Sequence, residues 1–178
     1  MSSRPSFWSS TGEEGIYFEI EGIEAVQERL DELADDLQEK ASLEMVSRVG
    51  ELVQYWMKQN VLQNFKLGTG KLINSIFTSV LTTDEGAEVY VGPNVKEVPY
   101  ALIQNFGGTT RPHVITPVNA QALHFVKDGR DIFTRRVNHP GSVIPARPYM
   151  EPAYMDHQDE ILFIMNAVLD EAIAGELK

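Results

Sequence analysis

Apolar residues recur along the first third of the chain at steps of three and four. Ile23, Val26, Leu30, Leu33, Leu37 and Ala41 open the series, and Val46, Val49, Val53, Trp56, Met57 and Val61 extend it. Glu24, Glu28, Asp31, Glu32, Asp35 and Asp36 fall mostly off that stripe. The spacing predicts an amphipathic helix within 23–66 with one buried face. No proline interrupts it. A single rod would run about 60 Å at ~1.5 Å per residue; a break near Glu39 to Ser42, or at Gly50, fits the pattern equally well. Ahead of the helix, Ile16, Phe18 and Ile20 alternate with Tyr17 and Glu19 as a short strand that Gly22 ends.

At Ile76 the period changes to two. Ile76, Thr78, Val80 and Thr82 alternate with Phe77, Ser79 and Leu81, Asp84-Glu85-Gly86 supplies a turn, and Ala87 to Gly92 returns as the second strand of a hairpin. Tyr100 to Phe106 accepts a short helical turn stopped by Gly107. His113 to Pro117 reads as a strand edge. Ala122 to Val126 and Ile132 to Val137 read as a second hairpin with Asp128-Gly129 at its turn. Ile161, Ile164, Met165, Val168, Leu169 and Ala172 mark a closing helix within 154–176, with Pro152 in its first turn. The order predicts an α+β fold, with a long N-terminal helix and a C-terminal helix packed on a mostly antiparallel sheet of short strands and hairpins. Residues 1–15 are expected as a flexible N-terminal arm and 16–178 as a single domain. Seven of the nine prolines lie between Val98 and Ala153, which predicts extended loops at 107–121 and 138–148.

Composition narrows the function. Hydrophobic content of 43% and charged content of 23% are ordinary for a folded domain. With no cysteine, disulfides, a thiol nucleophile and thiolate-bound zinc are excluded. No run of about 18 apolar residues is present, so no membrane partner is expected, and Met1 to Ser10 lacks the apolar core of a secretory signal. The formal net charge of −11 argues against a surface built to hold phosphates, although an acidic wall suits a channel that DNA slides past. The charge is uneven. Residues 13 to 51 hold thirteen Asp or Glu against three Lys or Arg, whereas Arg111, Lys127, Arg130, Arg135, Arg136 and Arg147 face only Asp128 and Asp131 over 111–147. Such segments can pair between neighbouring copies, or can be solvated faces.

Catalytic patterns are missing. His113, His124, His139 and His157 fit no metal-ligand spacing. Gly70-Lys71 resembles the end of a phosphate-binding loop, but Phe65 and Leu72 stand where that loop needs glycine and a hydroxyl residue. Ser75, Ser79 and Ser142 sit in no Gly-x-Ser-x-Gly elbow. No enzymatic activity, cofactor or metal is expected.

Several short motifs, taken in order, resemble the tail-completion and head–tail joining proteins of long-tailed bacteriophages, both lambda-like and Mu-like. They are Thr69-Gly70-Lys71-Leu72 with Ser75-Ile76, Val91-Gly92, and Tyr100-Ala101 leading to Phe106-Gly107-Gly108-Thr109. Ile115-Thr116-Pro117, Ala122-Leu123-His124-Phe125, Val137 to Gly141 and Ala146-Arg147-Pro148-Tyr149 follow. The resemblance runs over residues 16 to 175. It implies a minor tail protein of the virion neck, made in the host cytoplasm. Such a protein forms a homo-oligomeric ring between the head connector or adaptor and the tail terminator or tail-tube proteins. Genome DNA would pass through its lumen without specific binding.

On that resemblance, the contacts between subunits or between head and tail fall to Gly107, Gly108, Thr109, Arg111, Arg135, Arg136, His139, Gly141 and Arg147, together with the aromatic pair Phe7 and Trp8 of the N-terminal arm. The glycines would let loops fit closely against a neighbour, and Arg147 would offer a two-pronged bond to a carboxylate. Tyr149 and Met150 are expected to anchor the loop in the core. The alternatives are a small metal-dependent nuclease using His139 with nearby acids, or a cytoplasmic binding module.

Overall fold

The computed structural model describes residues 23–66, 68–83, 86–175 and 177. The strand expected over 15–21 and the arm carrying Phe7 and Trp8 lie outside the described residues. In order come α1 (Glu24–Asp31), α2 (Asp35–Asn64), α3 (Lys71–Asn74), β1 (Ile76–Thr83), β2 (Gly86–Pro93) and α4 (Ala101–Phe106). Six short strands follow: β3 (Gly108–Thr109), β4 (His113–Ile115), β5 (Leu123–Lys127), β6 (Arg130–Thr134), β7 (Val137–His139) and β8 (Val143–Ile144). The helices α5 (Glu151–Met155) and α6 (Gln158–Ile173) close the chain. The fold is α+β. Its described strands pair antiparallel, in four two-stranded ladders. Two compact units are present, a helical unit running to Ala101 and resuming at Pro148, and a ladder unit from Leu102 to Arg147.

In the helical unit the apolar stripe of the N-terminal helices meets α6. Val26, Ala41 and Met45 form a buried cluster with Tyr154, Ile161, Met165, Val168, Leu169 and Ala172, and Leu30, Leu33, Leu37, Val49 and Val53 pack around it. The helical pattern of 23–66 is broken at neither of the two places the sequence offered. It breaks at Glu32–Ala34, where Ala34 is extended (φ −66°, ψ 147°). Leu30, Leu33 and Leu37 on both sides of the break all contribute to one cluster, so packing against α6 sets the break. No glycine or proline marks it.

Gly50, by contrast, leaves α2 continuous and brings it against the β1–β2 hairpin. A methyl group at Gly50 would lie 2.6 Å from both Thr78 Cγ2 and Val89 Cγ2. The Thr78 hydroxyl donates to the Gly50 carbonyl at 3.2 Å, and Gln54 Nε2 donates to the Ile76 carbonyl at 2.9 Å. Further along α2, Asn60 and Asn64 donate to the carbonyls of Tyr149 and Pro148. These bonds hold the segment that follows the ladder unit. Tyr149 is fully buried and Met150 nearly so, as the sequence predicted. Burial pushes the Tyr149 phenol well above its ordinary range, and its hydroxyl donates to the Ala101 carbonyl at 3.3 Å.

The predicted closing helix is divided at Asp156 and His157 into α5 and α6, with Pro152 in the first turn of α5. His157 stacks on Trp56 with ring centroids 3.8 Å apart, and Glu160 accepts the Trp56 indole N–H at 3.0 Å.

Candidate interaction surface

The ladder unit is organised by two antiparallel runs that face each other along nearly their whole length. Gly108 pairs with Ile144 and Thr109 with Val143. His113, Val114 and Ile115 pair with His139, Asn138 and Val137. The register is the same on both sides of the gap between these pairs, so Thr110 opposes Ser142 and Pro112 opposes Pro140. The Thr110 amide donates to the Ser142 carbonyl at 2.9 Å, and the Ser142 amide donates to Thr110 Oγ1 at 2.8 Å. Proline has no N–H to give a ladder, so two opposed prolines account for the interruption. The segments 107–121 and 138–148, predicted as loops, are thus largely each other's partners.

Beyond Ile115 the register shifts, because the seven residues Thr116 to Ala122 face only Arg135 and Arg136. The β5–β6 hairpin then completes the unit, with Lys127 opposite Arg130. Asp128 (φ 52°) and Gly129 (φ 74°) form its turn. Two successive positive φ values are what a two-residue turn matched to strand twist requires.

Two glycines are fixed by close backbone approach. Gly107 has φ 70°, and a Cβ there would lie 2.7 Å from the Ala146 amide nitrogen and 2.9 Å from the Ile144 carbonyl oxygen. Gly141 has φ 89°, and a Cβ there would run into the Thr110 carbonyl. The Arg147 amide donates to the Gln104 carbonyl at 2.9 Å. The motif ending α4 and the motif around Arg147 therefore form one joint, although about 40 residues separate them along the chain.

Of the predicted contact residues, Gly108, Thr109, Arg111, Arg135, Arg136 and Arg147 are exposed, and Gly107, His139 and Gly141 are half-buried. His139 stacks on His113 across the ladder with ring centroids 4.9 Å apart. Its Nδ1 accepts the Gly141 amide at 3.1 Å, while His113 Nδ1 meets the Arg111 carbonyl at 3.1 Å. Both Nδ1 atoms are thus engaged locally, which gives these rings a turn-holding role. Arg111, Lys127, Arg130, Arg135 and Arg136 take part in no salt bridge among the described residues.

Sequence reasoning missed the exposed apolar side chains that the same unit carries. Phe133 is 69% exposed, Val126 64% and Val143 81%. The register puts Val126 on one face with His124, Phe133 and Asp131. There His124 stacks on Phe133 and bonds Asp131 Oδ1 at 2.7 Å. The sequence signal was the adjacent pair Phe125-Val126, which leaves a two-stranded hairpin no fully polar face.

Among the described residues, no group of three or more His, Asp or Glu is placed to hold a metal ion, and no helix is long and apolar enough to cross a membrane. No family model matches the chain, and neither a curated protein nor a solved structure matches it.

Proposed function

We propose that this chain is a structural protein of the neck of a long-tailed bacteriophage, where it forms an oligomeric ring that completes the tail and joins it to the head connector. One observation carries the reading. Two separate motifs of the resemblance, Phe106-Gly107-Gly108-Thr109 and Ala146-Arg147-Pro148-Tyr149, meet in a single joint in which a side chain at Gly107 would collide with Ala146. That contact gives a physical reason for both motifs to occur together. The joint leads into a cationic ladder with exposed apolar residues, which suits assembly with other proteins. The function is contact, and no chemical turnover is involved.

Deleting the gene from the phage that encodes it should leave filled heads and uncompleted tails unjoined in lysates. Supplying the chain in trans should restore joining, and mass spectrometry of purified particles should find it in several copies. Joined, infectious particles that lack the chain would overturn the reading.

A further inference from the structure

We propose that the cationic ladder unit docks on the acidic face of α1 in a second copy of this chain, so that copies associate head to tail. The inference deepens the proposed ring and rests on that reading for the closure of the chain of copies into a ring. Its first support is the division of charge. The ladder unit holds six Lys or Arg and two Asp, a net charge of +4, so the rest of the chain, at −11 overall, carries −15.

The second support is the placement of those charges. Glu24, Glu28 and Asp31 follow one another at steps of four and three on α1, so they share a face. All three are exposed, whereas Val26 is buried in the core. None of the three takes part in a salt bridge among the described residues, and neither do Arg130, Arg135 or Arg136. One chain thus presents both halves of a complementary contact, neither with a salt-bridge partner among the described residues.

The third support is apolar. Exposed ion pairs are individually weak, so docking also needs surface removed from water, and Phe125, exposed on the hairpin face that carries Lys127 and Arg130, supplies it. A two-stranded ladder standing alone in water is marginally stable; coverage by a neighbour would secure it. Duplex DNA fits less well, because Asp128 at the turn and Asp131 beside it would meet phosphate. Two different patches on each copy make a head-to-tail contact, the kind that closes into rings.

The test uses the full chain and two charge-reversal variants. One carries Arg130→Glu, Arg135→Glu and Arg136→Glu; the other carries Glu24→Lys, Glu28→Lys and Asp31→Lys. Sedimentation should show the unaltered chain self-associating, more weakly as salt is raised. Each variant alone should associate about tenfold or more weakly. An equal mixture of the two should recover association, because every contact in an alternating assembly is again complementary. Circular dichroism checks folding, and the milder Arg130→Gln with Arg136→Gln serves if a reversal unfolds the chain. A monomeric unaltered chain, variants that associate normally, a mixture that stays dissociated, or duplex DNA binding that only the arginine variant loses would each overturn the inference. Recovery in the mixture, with the chain absent from purified particles, would sustain the inference and sink the neck assignment instead.

Discussion

Arg48 on α2 grips both carboxylate oxygens of Glu171 on α6, at 2.8 and 2.7 Å, and its Nε also donates to Glu44 at 2.6 Å. Two nearly parallel N–H bonds to one carboxylate are stronger and more directional than a single exposed pair. The Arg48 bonds hold the Glu171 carboxyl below the usual carboxylate range. A lowered folded-state value means that the unfolded chain binds the proton first as pH falls. The contribution is therefore fully present above the ordinary carboxylate value of about 4.3 and is lost as pH drops through the folded value. Glu171→Gln should melt lower than the unaltered chain at neutral pH, with the gap narrowing in acid. A gap independent of pH in thermal melts would show that the bridge is not its source.

Gly50 should resist a substitution that usually helps. Replacing glycine by alanine inside a helix normally stabilises it by about 0.5–1 kcal/mol. Here the added methyl would sit 2.6 Å from Thr78 Cγ2 and Val89 Cγ2. Overpacking of this kind costs about 1–3 kcal/mol, so the clash wins. Gly50→Ala should lower stability in urea unfolding, and adding Val89→Ala should restore part of the loss.

At the joint of the ladder unit, Gly107→Ala should be more harmful than Gly108→Ala. Both glycines have positive φ, but a Cβ at Gly107 meets the backbone of Ala146, whereas one at Gly108 meets only the flexible side chain of Ile103 at 3.4 Å. The left-handed conformation alone costs a non-glycine residue about 1–2 kcal/mol. Amide hydrogen exchange should quicken at Thr110 and across β3 and β8 in Gly107→Ala, with the helical unit unchanged.

Tyr149 gives the chain an alkaline limit. Its phenol is held protonated by burial, so the folded chain keeps a proton that the unfolded chain releases near pH 10. Stability from this source is intact below about pH 10 and falls as pH rises beyond it. Tyr149→Phe should cost about 1 kcal/mol at neutral pH through the lost bond to Ala101. It should also flatten the alkaline decline, read by melting as a function of pH.

The elements most legible in the sequence were those fixed by neighbouring residues. Asp128-Gly129 specified its turn directly, and the alternation from Ile76 specified the first hairpin. The break at Glu32–Ala34 was not legible, because it depends on where α6 receives Leu30, Leu33 and Leu37. The pairing of β3 with β8 and of β4 with β7 was hidden for a related reason. These strands are two or three residues long, and their partners are distant, so proline-rich composition pointed to loops. The cations of the surface were visible as a run of charge, but the joint between Gly107 and Ala146 exists only once the register is set.

The opposed prolines, Pro112 and Pro140, also act as a safeguard. A two-stranded ribbon has two open edges, and open edges invite stray strands and fibril growth. At this level the prolines break the regular run of ladder bonds that a stray strand would extend, and farther along Arg130, Arg135 and Arg136 place like charges beside any identical ribbon that tries to align. The ribbon is thus guarded against sheet-wise aggregation by its backbone and its charges together, and its exposed side chains are spared that task.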